Sequence, residues 1–158
     1  MHLRKVVVFG KGEAGKSTFI RTIIPDAVNI DHRGRTVGMD FGAVTVGNHI
    51  YHFYGTPGQA RFDAVREVLT DFAHTALMIF DGSRPLDRED HDLFGELQVL
   101  NVPFFAVINV KQKMPVQADI SEVQQMCCGS HYCGGVVQGD VMNSSFASAI
   151  LTNLQRLS

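Results

Sequence analysis

Residues 10–17 read Gly10-Lys11-Gly12-Glu13-Ala14-Gly15-Lys16-Ser17, with Thr18 next. This spacing, G-x-x-x-x-G-K-S, assembles the groups that a polyphosphate needs. Phosphates are well solvated in water, so a protein competes only by aiming many donors at them at once. Gly10, Gly12 and Gly15 let the backbone take turns closed to bulkier residues, so that successive N–H groups point inward. Lys16 can set its ammonium on the terminal phosphates, and Ser17 its hydroxyl on Mg²⁺.

Two further stretches carry groups of the same chemistry. Thr36-Val37-Gly38-Met39-Asp40-Phe41-Gly42 places a threonine in an expected irregular stretch before a strand. Its hydroxyl can reach Mg²⁺ and its N–H a terminal phosphate, a contact that disappears when that phosphate leaves. Thr56-Pro57-Gly58-Gln59-Ala60-Arg61-Phe62 follows an apolar strand and precedes a helix. Gly58 can bring its N–H to the same phosphate, and Gln59 can orient an attacking water through its amide. A plain Pro-Gly turn is the structural alternative.

The elements that must position these groups follow from periodicity. Strands are expected at Arg4–Phe9, Met39–Val46, His49–Tyr54, Ala76–Phe80, Phe104–Asn109 and Gly135–Gln138. Gly47-Asn48 marks a two-residue hairpin between the second and third, which makes that pair antiparallel. Helices are expected at Lys16–Ile24, Ala60–Ala73, Arg88–Leu100, Ser121–Cys127 and Asn143–Leu157. Pro25 stops the first, and Phe146, Ile150, Leu151, Leu154 and Leu157 form an apolar stripe on the last. Asp87, Arg88, Glu89, Asp90 and His91 read as a solvated helix start, its acids suiting the N-terminal dipole. Alternation of this kind gives an α/β fold: a mostly parallel sheet covered on both faces. The expectation is six strands with one antiparallel hairpin and about five flanking helices, in one domain over residues 1–158.

Composition narrows the function class. With 45% hydrophobic and 19% charged residues and a net charge of −2, no nucleic-acid surface or disordered tail is indicated. No apolar run reaches the length of a membrane span. His2 is incompatible with N-myristoylation, the last residues carry no prenylation cysteine, and no lipid anchor is expected. Cys127, Cys128 and Cys133 surround His131 with a spacing that matches no standard zinc pattern. In the reducing cytosol they are expected as half-buried thiols beside a loop.

Taken together, the 10–17 loop, Thr36-Val37-Gly38-x-Asp40-Phe41 and Thr56-Pro57-Gly58-Gln59-x-Arg61-Phe62 resemble a Ras-like small GTPase. The stretch from Phe53 to Phe62, and Phe80-Asp81-Gly82-Ser83-Arg84-Pro85, are similar to prokaryotic members, relatives of the bacterial cell-polarity GTPases and of GTPases of signalling operons. The resemblance covers essentially the whole chain. It implies a P-loop GTPase fold, GTP/GDP with Mg²⁺, slow hydrolysis of GTP and a cytoplasmic molecular switch. It implies a nucleotide site made by Gly10 to Thr18, Thr36, Gly58, Asn109, Lys111, Gln112, Gln138, Gly139 and Asp140, with Ser17 and Thr36 on the metal and Gln59, Lys16 and Thr36 catalytic. An activating protein, an exchange factor and an effector are expected at segments 31–42 and 55–66. Oligomeric state is left open.

Two departures from the family pattern stand out. Gly55 occupies the place of an Asp that reaches Mg²⁺ through water; Asp40 and Asp31 are candidate substitutes. The guanine-reading pattern Asn-Lys-x-Asp becomes Asn109-Val110-Lys111-Gln112. A neutral Gln forms weaker bonds than a carboxylate, so guanine discrimination is expected to fall by roughly 1–3 kcal/mol. Lys111 is a candidate to lie along the base in place of Val110. Asp140 is either a substitute carboxylate at the base edge or a solvated loop residue. These losses favour an alternative function, a pseudo-GTPase interaction module with weak or no hydrolysis.

Overall fold

The computed structural model describes residues 1–32, 35–56 and 73–157, with backbone alone over 29–32 and 35–38. The expected helix over 60–73, Gly58 and Gln59 lie outside the described residues, Ala73 apart. At the centre of the sheet is β1 (His2–Phe9), whose Val6, Val7, Val8 and Phe9 are wholly buried. Such a run suits a strand covered on both faces. Parallel ladders join it to β4 (His49–Gly55) and to β5 (Thr75–Asp81). Further parallel ladders add β6 (Phe104–Asn109) and β7 (Cys133–Gly139). On the other side β4 pairs antiparallel with β3 (Arg35–Val46) through the turn at Gly47-Asn48, where Gly47 has φ 60°.

All six expected strands are present, and the structure adds one. Val28–His32 forms β2, antiparallel to β3, giving the seven-stranded order β2-β3-β4-β1-β5-β6-β7. The irregular stretch expected around Thr36 is therefore corrected: Thr36 stands in the ladder region of β3. The backbone groups of Val28, Asn29 and Ile30 face Phe41, Asp40 and Met39 across that ladder, and pairing satisfies polar groups that a loose loop would leave to water.

The described helices are α1 (Lys16–Ile23), α2 (Arg88–Val99), α3 (Ile120–Cys128) and α4 (Ser144–Leu157). Their ends agree with the sequence reading to within one residue. None of the described helices is long and apolar enough to cross a membrane. Alternation along β1 divides the core. Val6 and Val8 pack with Phe19 and Ile20 of α1 and Ile150 and Leu154 of α4. Val7 and Phe9 pack with Leu93, Phe94 and Leu97 of α2 and Val123 and Cys127 of α3. Each face is apolar, so the loops at the C-terminal ends of β1, β5 and β6 are held from both sides.

Candidate functional site

The loop from Gly10 to Ser17 leaves the C-terminal end of β1 and enters α1. Gly15 is the N-cap of that helix, has φ 114°, and gives it no side-chain cap. A Cβ on Gly15 would lie 2.5 Å from Asn109 Nδ2, so both conformation and space require glycine. The uncapped first-turn N–H groups and the helix dipole make this end a natural anion site. Lys16 is 6% exposed, and its ammonium donates to the carbonyl of Gly10. Burial lowers its pKa to about 8, against the pull of the Asp40 and Glu89 carboxylates. A buried cation of this kind is better satisfied by an anionic ligand than by one carbonyl.

Asn109, at the end of β6, ties the site together. Its Nδ2 donates to Ala14 O at 2.9 Å, and its Oδ1 accepts from Val141 N at 3.2 Å. One buried amide thus joins the phosphate loop to the loop after β7. Lys111 Nζ donates to Glu13 O at 2.8 Å and to Asp81 Oδ2 at 3.0 Å. Asp81 also accepts from the N–H and hydroxyl of Ser83. Its burial raises the carboxyl pKa, but those bonds and the Lys111 ammonium outweigh it and hold the group below its ordinary value. Arg84 bridges outward to Glu13 at 2.6 Å.

A cleft of roughly 330 Å³ lies beside this network, lined by Gly12, Glu13, Gly15, Lys16, Ser17, Thr18, Asn109, Lys111, Gln112, Asp140 and Met142. Most of the sequence-expected residues therefore meet around one cavity. Asp140 lines it while its Oδ1 accepts from Met142 N at 2.9 Å. Met142 had no signal in the sequence beyond its nearness to Asp140. Other expected residues are placed elsewhere. Gly10 and Ala14 shape the loop from behind, Ala14 being 1% exposed. Gln138 is an exposed residue of β7. Gly139 accepts from Val110 N, and a Cβ there would lie 2.6 Å from the Phe146 ring, so packing explains this glycine. Lys11 turns away from the cleft to Asp87 at 2.8 Å and Asp90 at 3.4 Å. Asp90 is 3% exposed, which corrects the reading of 87–91 as a merely solvated helix start.

Ser17, which lines the cleft, and the Asp40 carboxylate bonded to it are hard oxygen donors of the kind Mg²⁺ prefers. The Ser17 hydroxyl donates to Asp40 Oδ2, and Arg21 reaches Asp40 Oδ1 at 3.3 Å. The donor set fits that cation. The side chains of Thr36 and Asp31 lie outside the described residues. Away from this site, Cys127 is buried, Cys128 exposed and Cys133 between, all as free thiols.

Comparison with known proteins sets this geometry in a family. The profile of the Roc family (Ras of Complex, Roc, domain of DAPkinase) matches residues 5–114. The chain belongs to the Roc family. This Roc domain is 32% identical over 123 residues to an uncharacterized protein of Methanocaldococcus jannaschii, covering 78% of the chain and 79% of that protein. It is 27% identical over 161 residues to translation initiation factor IF-2 of Malacoplasma penetrans, covering 92% of the chain but 24% of the factor. Solved structures show the same fold. The bacterial selenocysteine-specific elongation factor EF-Sec superposes with TM-score 0.77 at 15% identity, over 99% of this chain and 29% of that one. The G domain of the T. maritima FeoB iron transporter gives 0.73 at 14%, over 99% and 100%. Aquifex aeolicus Era bound to GDP·AlF4⁻ gives 0.75 at 19%, over 100% and 58%. The Roc domain therefore spans less than two thirds of the elongation factor and of Era. Its fold is that of the P-loop GTPases, a prokaryotic-type Ras-like domain, as its motifs imply.

Proposed function

We propose that this Roc domain binds GTP, hydrolyses it slowly to GDP with Mg²⁺, and acts as a nucleotide-dependent switch. The observation that carries the reading is the cleft itself. An uncapped helix start, the buried Lys16 and the Asn109 tie converge on a cavity of nucleotide-binding dimensions. The complex of Era with GDP·AlF4⁻ adds a guanine-nucleotide precedent on the same fold.

In this reading the loop N–H groups and Lys16 hold the β- and γ-phosphates and stabilise charge as it develops on the leaving oxygens. Gln59 orients the water for in-line attack. Ser17 and Thr36 would hold Mg²⁺, which would supply positive charge to offset that of the phosphates. Lys111, anchored to Glu13 O, borders the base with Gln112 and Asp140. Loss of the γ-phosphate releases Thr36 and Gly58, so segments 31–42 and 55–66 change between states and present themselves to an activating protein, an exchange factor and an effector. A cytoplasmic location is part of this reading, since nucleoside triphosphates are supplied there.

One observation favours a second reading, a pseudo-GTPase that binds partners with little or no hydrolysis. Lys111 is spent on Glu13 and Asp81, and the base edge keeps a neutral Gln112. Thermal unfolding of nucleotide-free protein with GTP, GDP, ATP or ADP, each with and without Mg²⁺, tests binding and base choice together. A ligand at about 100 times its Kd adds roughly 2.7 kcal/mol. A shift with guanine nucleotides alone supports the switch, and no shift with any nucleotide removes it. For hydrolysis, a Gln59→Leu variant should turn over GTP at least ten-fold more slowly; an unchanged rate supports the pseudo-GTPase.

A further inference from the structure

Gly55 leaves the site without the carboxylate that its position would supply, yet the space beside it is filled. Asp40 and Gly55 are directly opposed across the antiparallel ladder of β3 and β4. Side chains of opposed residues leave the sheet on the same face. A Cβ built on Gly55 would lie 3.0 Å from Ile20 Cδ1, 3.3 Å from Asp40 Cβ and 3.7 Å from Asp40 Oδ2. The two positions therefore compete for one volume, and here β3 provides the carboxylate that β4 lacks.

We propose that Asp40 is the carboxylate of the Mg²⁺ site, acting on the metal's water shell and on Ser17; the proposal rests on the nucleotide reading above. Asp40 is 7% exposed, which is costly for a carboxylate without partners. Its Oδ2 accepts the Ser17 proton, and its Oδ1 takes the longer contact with Arg21 at 3.3 Å. A serine hydroxyl has one proton and two lone pairs. With its proton committed to Asp40, Ser17 has its lone pairs free for a cation. Mg²⁺ keeps several of its waters when bound, so a carboxylate just behind its hydroxyl ligand also has waters to accept from. Asp40 thus orients a metal ligand, and partners of this kind typically change metal affinity 10- to 100-fold. A structural tie between α1 and β3 is the competing role, and it predicts no dependence on the metal.

Release of N-methylanthraniloyl-GDP, followed by fluorescence over a Mg²⁺ series ending in excess EDTA, separates the two. In the wild type Mg²⁺ should slow release. Asp40→Asn, nearly isosteric, should raise the Mg²⁺ needed for half-maximal retention about ten-fold or more, with release in EDTA unchanged. Gly55→Ala alters no polar group but presses on Ile20 Cδ1 and on Asp40, and it should move the midpoint the same way by less; it carries the test should Asp40→Asn not fold. Arg21→Ala removes the other partner of Asp40 and should leave the midpoint in place. Equal midpoints in the wild type and Asp40→Asn (or Gly55→Ala in its stead) overturn the inference and leave nucleotide binding standing. A wild type that binds no guanine nucleotide at any Mg²⁺ concentration overturns the nucleotide reading, and this inference with it.

Discussion

Asn109 is where a single side chain does most for the site. Both ends of its amide are used, and the residue is 3% exposed. Asn109→Ala would leave the Ala14 carbonyl and the Val141 N–H buried without a partner, at a cost of about 2 kcal/mol. Urea unfolding should show a lower midpoint with an unchanged slope. Asp81 gives a pH signature. Its folded pKa lies below the unfolded value near 3.8, because Ser83 and Lys111 outweigh its burial. The stability it contributes is present above that unfolded value and is lost as pH falls through the folded one. Asp81→Asn should therefore be less stable near neutrality, and its loss of stability below about pH 4 should be shallower than the wild type's. Urea midpoints across pH 2–7 read both effects. At this scale the sequence was legible where one residue type serves one chemistry, as at Lys16 and Ser17. It marked Asp81 only as part of a family-like stretch and gave it no partner, because its role depends on Lys111, 30 residues away along the chain.

Among the elements, α2 and the phosphate loop are coupled more tightly than their sequence separation suggests. Asp87 and Asp90 form a reciprocal capping box at the start of α2. The same two carboxylates grip Lys11, which is 76 positions from Asp87. Asp87→Ala should cost about 1 kcal/mol through the cap. It should also weaken the hold on Lys11, so Lys11→Met and Asp87→Ala should not be additive. A double-mutant cycle by urea unfolding should give a coupling of about 0.5 kcal/mol or more; additivity would mean that the ion pair contributes nothing beyond the cap. The sequence showed that acids suit this helix start, but no local pattern identifies a distant lysine as their partner. The Gly47-Asn48 hairpin was legible for the opposite reason, since the turn chemistry and both strands are contiguous. The added strand β2 was not, because Val28–His32 lies at the sheet edge and is defined by its pairing with β3.

For the molecule as a whole, the sheet is shared by both cores. Val6 and Val8 belong to one core and Val7 and Phe9 to the other, so adjacent residues of one strand anchor opposite layers. The alternation of apolar strands and amphipathic helices made this layering legible, since a strand buried on both faces needs cover on both. The consequence is cooperativity: neither layer can be lost without exposing half of β1. Leu97→Ala on the α2 side and Ile150→Ala on the α4 side remove side chains that are at most 1% exposed. Each should cost about 2–5 kcal/mol. If residues 1–158 form a single domain, both variants should lower the midpoint of the same transition, with far-ultraviolet circular dichroism and tyrosine fluorescence remaining coincident. Two separable transitions, one moved by Leu97→Ala and the other by Ile150→Ala, would show that the layers unfold independently.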